Sequence, residues 1–386
     1  MRLAICFALL PAIGFAEVPQ GKPNANFLPA FENQTRVPAL PTTQLEVTEF
    51  VTGLENPWGI ARMPDGRFLV TERPGRMRLI GADGGLSGEI GGLEEVDNRR
   101  QGGLMDIALS PNFDEDQVVF WTYAKMISGG TVTAAARGVF SEGGEIFDAR
   151  DIFVQQPPSD NPAHFGSRII PLEDGTVWIT TGEHSAREDA IKAQDINTTY
   201  GKVVRLTWDG LVPMDNPYVG RDGDDAVWSY GHRNIQGAAI DAVGDLWTIE
   251  HGPRGGDELN KPEAGRNYGW PVISYGINYD GSAVGGGKAV QEGMEQPVYY
   301  YVPSIATSAL SFYQGVQFPE WNGNAFIGAL RAFHLNRLSF APDGQVAEHR
   351  LLADLNLRVR DVKQGPDDNL YLLSEQGSLI RLAPAE

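Results

Sequence analysis

The chain has 386 residues, with 31 Lys and Arg against 50 Asp and Glu and a formal charge of −19. A molecule this acidic is repelled by nucleic acid and by anionic membrane surfaces, so both are excluded as general partners, and an anionic ligand needs a local cluster of cations. The single cysteine, Cys6, excludes a disulfide framework.

Met1-Arg2-Leu3 opens an apolar run that ends in Gly14-Phe15-Ala16, a small-x-small sequence. Residues 1–16 therefore read as a secretory signal peptide, which predicts a periplasmic or secreted protein. The run is too short to span a bilayer, and no later segment is apolar enough to do so. Residues 17–44, rich in Pro, Asn and Gln, read as an extended N-terminal arm.

From residue 45 to 386 one pattern recurs, a Gly- or Asn-bearing turn followed by a short aromatic and branched run. Pro64-Asp65-Gly66 leads into Phe68-Leu69-Val70, and Pro111-Asn112-Phe113 precedes Val118-Val119-Phe120-Trp121. Further copies start near 177, 246, 325 and 370. Each interval holds additional short β runs, and long amphipathic helical patterns are scarce. Six units of this length predict an all-β fold, a six-bladed β-propeller, with a large β-sandwich as the runner-up. The uneven intervals place large insertions in the third, fourth and fifth units.

A propeller gathers loops from every blade at one mouth of its channel, so functional residues are expected far apart in sequence. In chain order the candidates are Gln101-Gly102-Gly103, then His164-Phe165-Gly166-Ser167-Arg168, then Gly231-His232-Arg233-Asn234. Glu250 to Glu258 and Asn267-Tyr268-Gly269-Trp270-Pro271 follow, then Tyr279, Arg331 and Arg358-Val359-Arg360-Asp361. The Gly- and Pro-rich stretch after Glu250 offers Asp257, Glu258 and the carbonyls of Gly252 and Pro253, an oxygen-rich set suited to Ca²⁺. His164 has the natural pKa of a general base near neutrality, though a loop histidine bonded to backbone is the commoner case. Arg358 and Arg360, two apart on a strand, point to one face and can grip carboxylates; a solvated edge paired with Asp361 is the plainer alternative.

The ordered set Gln-Gly-Gly, His-Phe-Gly, Gly-His-Arg-Asn, Glu-His-Gly-Pro-Arg-Gly-Gly-Asp-Glu, Asn-Tyr-Gly-Trp-Pro and Arg-x-Arg-Asp resembles the soluble pyrroloquinoline-quinone-dependent aldose sugar dehydrogenases, from about Leu54 to Leu382. The family is a six-bladed propeller. The resemblance implies that His164 takes the proton from the anomeric hydroxyl while hydride passes to pyrroloquinoline quinone (PQQ). Arg233 would polarise the quinone oxygen, and Gln101, Asn234, Tyr279, Arg331, Arg358 and Arg360 would join it in binding the cofactor's three carboxylates and edges. It also implies one Ca²⁺ on the carbonyls of Gly252 and Pro253 and another on Glu258 and the carbonyl of Tyr268.

Two departures stand out: Ala163 replaces the Asp or Asn that often precedes the histidine, so its orienting group is not evident, and Arg331 stands where relatives usually have Lys. The expected partners are an aldose and a separate electron acceptor, with the chain a monomer or homodimer. Two other functions compete, a propeller binding module without chemistry and a Ca²⁺-dependent sugar-lactone hydrolase. The dinucleotide fingerprint, His-Glu-x-x-His and the nucleophile elbow are absent from the sequence.

Overall fold

The computed structural model describes Val18, residues 20–342 and residues 344–385, so the proposed signal peptide lies outside the described residues. Six four-stranded antiparallel sheets are arranged as a six-bladed β-propeller. The six recurring runs of the sequence are the second strands of the six blades: Phe68–Glu72, Val118–Ile127, Thr176–Thr181, Leu246–Glu250, Ala325–Ala329 and Leu370–Ser374. Four of them are buried along their whole length. A strand covered on both faces carries a continuous apolar run in place of alternation, which is why these segments were visible in sequence.

The apolar core is divided among the seams between blades. Leu69 and Met77 of the first blade pack with Trp121 and Tyr123 of the second, and comparable clusters fill the other five seams. Closure is made by the N-terminal strand. Leu45–Val51 pairs antiparallel with Ser378–Pro384, becoming the outermost strand of the sixth blade. Before it, residues 20–44 cross the outer edges of the fourth and fifth blades. Gln20 Nε2 donates to Tyr299 Oη at 3.2 Å and to Glu348 Oε2 at 2.6 Å, and Val37 is buried among Leu259, Tyr301 and Leu338.

The long connections are 182–201 and 208–226 in the third blade and 261–298 in the fourth. The fifth blade has no comparable insertion, contrary to the sequence expectation. The wide spacing between the runs at 246 and 325 comes from the fourth blade's 261–298 segment, and its helix-poor, Gly- and Pro-rich sequence gave no sign of which blade it belonged to. No helix among the described residues is long and apolar enough to cross a membrane.

One feature of the inner strands prepares the site. In each blade the register between the first and second strand shifts near the start of the first, at Pro57/Ile60, Leu104/Ile107, Gly166/Ile169, Ile235/Gly237, Thr307/Leu310 and Val359/Asp361. Such bulges re-aim side chains. The residues within them, among them Trp58, Asp106, Arg168, Gln236, Ser308 and Arg360, meet in the channel. Arg168 is the centre of this ring. Its Nη1 lies 2.9 Å from Asp106 Oδ1 and 3.1 Å from Asp361 Oδ1, and it donates to the carbonyls of Gln236 and Ser308 at 2.7 and 2.6 Å. The guanidinium also lies over the Trp58 ring, 4.5 Å from its centroid. One side chain of the third blade thus touches all five others.

Candidate active site

Connections from one blade to the next and turns between second and third strands emerge on the same face. The first kind carries Gln101, His164, Arg233, Asn234 and Arg358; the second carries Arg73, Glu183, Gly252, Pro253, Arg331 and Glu375. Above the Arg168 ring all of these but Glu183, Gly252 and Pro253 line a cavity of about 310 Å³. Gln101, His164, Arg233, Asn234, Arg331, Arg358 and Arg360, all singled out from sequence, line it, with Tyr279 at its mouth, 69% exposed.

His164 is buried and sits in the left-handed region, at φ 47°. Its main-chain N–H donates to Gln101 Oε1 at 2.9 Å. Its Nδ1 lies 3.0 Å from Glu183 Oε2 and 3.2 Å from Oε1. An ionised carboxylate only accepts, so Nδ1 carries the proton and Nε2 keeps its lone pair. Glu183 is therefore the orienting group that the sequence left unidentified once Ala163 was seen. Burial lowers the His164 pKa below its ordinary value against the opposing pull of Glu183, and Arg233 adds to the fall. Burial pushes Glu183 up, but His164 and Arg233 outweigh it and hold the carboxyl below its usual range. The pair is thus a neutral imidazole on an ionised carboxylate at neutral pH.

Arg233 is nearly fully buried. Nη1 donates to the carbonyls of Gly252 at 2.9 Å and His251 at 3.2 Å, its guanidinium lies 5.0 Å from the Trp270 ring centroid, and Nε has no hydrogen-bond partner. Arg358 and Arg360 do face the same way, and they share one carboxylate: Arg358 Nε is 2.6 Å from Glu375 Oε2, and Arg360 grips Oε1 through Nε and Nη2. Burial opposes ionisation of Glu375, yet the two guanidiniums hold its pKa at about 2. Asn234 Oδ1 accepts the Gly166 N–H at 3.0 Å and ties the His164 turn to the fourth blade. The guanidinium of Arg331 makes no ion pair among the described residues.

The donors proposed for Ca²⁺ separate into two places. Asp257 is saturated by Ser304 and by the N–H groups of Gly252, Ile305 and Ala306, so it shapes the loop and is not a free ligand. Burial raises its pKa to about 6. The Gly252 carbonyl already accepts from Arg233, while Pro253 borders the outer cleft. Glu258, its pKa raised by burial and by Glu250, lines with Tyr268 and Glu250 a void of about 10 Å³, room for one small ion or water. These oxygen donors fit a hard cation. Among the described residues no three His, Cys, Asp or Glu side chains are grouped to hold a metal.

A second, larger cleft of about 700 Å³ opens beside the cavity, sharing Arg233 and Tyr279 with it. Its walls are the two long insertions, through Ser185 to Ile191 on one side and Trp270 to Gly286 on the other.

Fold and site together define a channel-mouth propeller enzyme, with a cationic pocket set beside a carboxylate-oriented histidine. Residues 54–381 match the Glucose / Sorbosone dehydrogenase family, and the chain belongs to that family. It is 39% identical over 339 residues to aldose sugar dehydrogenase YliI of Escherichia coli (strain K12), covering 86% of this chain and 91% of the relative. The crystal structure of the soluble aldose sugar dehydrogenase from Escherichia coli, in the apo-form, superposes with a TM-score of 0.84 at 37% identity, over 89% of this chain and 100% of that one. The PQQ-bound aldose sugar dehydrogenase from Streptomyces coelicolor gives 0.73 at 27% identity, over 89% and 99%. The protein is a sugar dehydrogenase propeller.

Proposed function

We propose that the chain is an exported PQQ-dependent dehydrogenase that oxidises the anomeric carbon of aldoses to lactones, with His164 as general base. The observation that carries this reading is the convergence of five arginines and a neutral, Glu183-oriented histidine on one cavity. The PQQ-bound relative supports the choice of cofactor.

The quinone, when bound, supplies a two-electron acceptor for the hydride of the anomeric C–H. Arg331, Arg358 and Arg360 would hold its carboxylates, which charge-assisted pairs do strongly. Arg233 would face the quinone oxygen that gains negative charge. A Ca²⁺ ion, held by the carbonyls of Gly252 and Pro253, would supply Lewis acidity and orientation, and a second at Glu258 and Tyr268 would brace the insertion. His164 Nε2 accepts the anomeric hydroxyl proton, while Glu183 stabilises the imidazolium that results. The sugar reaches the base from the larger cleft. Asp106 and Asp361, the acidic groups at the channel centre, are ion-paired to Arg168 and so are not available as the metal ligands a lactone hydrolase would need.

The test is reconstitution with PQQ and Ca²⁺, followed by dye reduction with an aldose panel and, separately, lactone hydrolysis without quinone. Aldose-dependent dye reduction is expected. Hydrolysis alone would replace this reading, and quinone binding without turnover would leave a binding module.

Glu183→Gln gives a more specific expectation. Glu183 raises the His164 pKa, so removing its charge lets that pKa fall further. The acid limb of kcat/KM, where the base becomes protonated, should move to lower pH, and kcat should drop about 10-fold or more because the base is weaker and less well held. A limb that stays put or moves upward would remove Glu183 from this role.

A further inference from the structure

The cavity holds more positive charge than its own carboxylates answer. Arg73, Arg233, Arg331, Arg358 and Arg360 line it, against Glu375, shared by Arg358 and Arg360, and Glu183 at its border, 3.7 Å from Arg233. Burial lowers the pKa of His164, so it adds no charge near neutrality. Five guanidiniums against two carboxylates leave a surplus of three positive charges, inside a protein that is acidic overall. A polyanion is the ligand this surplus favours.

Arg73 is the member of the set that nothing in the sequence singled out. It follows the strand Phe68–Glu72. Its Nε donates to the carbonyl of Gly102 at 2.9 Å and its Nη2 to that of Arg100, and it makes no ion pair among the described residues. The adjacent carboxylate, Glu72, is turned to Arg76 at 2.8 Å and to the N–H of Glu55. Burial and the nearby Arg360 disfavour the charged form of Arg73, and only Glu375, already held by Arg358 and Arg360, opposes them. A partly buried cation bonded only to two carbonyls, with the nearby Glu375 taken by Arg358 and Arg360, has no carboxylate of its own.

We propose that Arg73 is a ligand-contacting residue of the cavity, gripping a carboxylate of the polyanion it takes. The proposal rests on the quinone reading for the identity of that anion. Its rival is a structural clamp, in which Arg73 merely ties the Gly102 turn to the first blade.

Arg73→Gln separates the two by measurements that need no turnover. If Arg73 meets the ligand, the cofactor-free variant melts at or above the wild-type temperature, because an unanswered charge is gone. Quinone affinity, read by fluorescence titration, falls roughly 10- to 100-fold, the loss expected for a charge-assisted contact, and Arg73→Lys recovers part of it. A cofactor-free variant that melts well below wild type, or quinone affinity within about threefold of wild type, overturns the proposal. Citrate, a tricarboxylate probe, supplies the control at low salt. If citrate protects wild type but not Arg73→Gln from thermal unfolding while the quinone protects neither, the quinone reading fails and the role of Arg73 stands. If neither anion protects wild type, both fail.

Discussion

Replacing His164 with Asn should lower kcat for aldose oxidation by about 10²- to 10⁴-fold, the range general-base catalysis covers, while leaving quinone affinity within a few-fold. Asn is the informative choice because His164 sits at φ 47°, a left-handed conformation that Asn tolerates better than most residues. The main-chain bond to Gln101 is retained, so the loop keeps its anchor. The loss should appear in kcat and kcat/KM alike, since the proton is transferred in the transition state and not in the ground-state complex. Steady-state dye reduction on reconstituted enzyme, beside a cofactor titration, reads both quantities. Turnover within about tenfold of wild type would move the base elsewhere, and Glu183 would be the nearest candidate.

The architecture was legible because its repeat is carried by local signals. A turn residue and a doubly covered strand recur in each blade, and both leave marks in the sequence. The arginines and His164 were legible through motif order. Their partners were not. Glu375 in Ser-Glu-Gln-Gly looks like any solvated turn, and Glu183 in Gly-Glu-His carries no local sign of an imidazole 19 residues upstream. Each follows the second strand of its blade, while the residues it serves lie at the start of the first strand, so only the antiparallel pairing of Gly166 with Thr181 and of Val359 with Ser374 brings them together. The bulges were equally hidden, since a one-residue shift in register leaves the apolar pattern of a buried strand unchanged. Asp257 shows the opposite error: an acidic residue in a Gly-rich loop resembles a cation ligand, but its oxygens are consumed by four residues of its own scaffold.

Arg168→Met should lower the unfolding free energy of the cofactor-free protein by about 3–5 kcal/mol, the usual cost of breaking a buried ion pair from one side. Arg168 is 2% exposed and joins Asp106, Asp361, two carbonyls and the Trp58 ring. Methionine fills much of the volume but answers none of these groups, so the cost is electrostatic and not a cavity. The pH dependence identifies it. Burial already raises the Asp106 pKa above its ordinary value, with Arg168 opposing, so removing Arg168 raises it further. A group whose folded-state pKa is raised contributes stability below its unfolded value, and that contribution is lost as pH rises through the folded value. The deficit of the variant should therefore be smallest in mild acid and grow toward neutrality, and adding Asp106→Asn should recover part of it. Urea denaturation at several pH values measures this directly. A deficit under about 1 kcal/mol, or one indifferent to pH, would reduce Arg168 to replaceable packing. The consequence reaches the site above. Trp58 is held between Arg168 and Arg360, with ring-centroid distances of 4.5 and 5.6 Å, and Trp58, Gln236 and Arg360 all line the cavity. The residue that joins the blades is also the floor on which the cationic pocket stands.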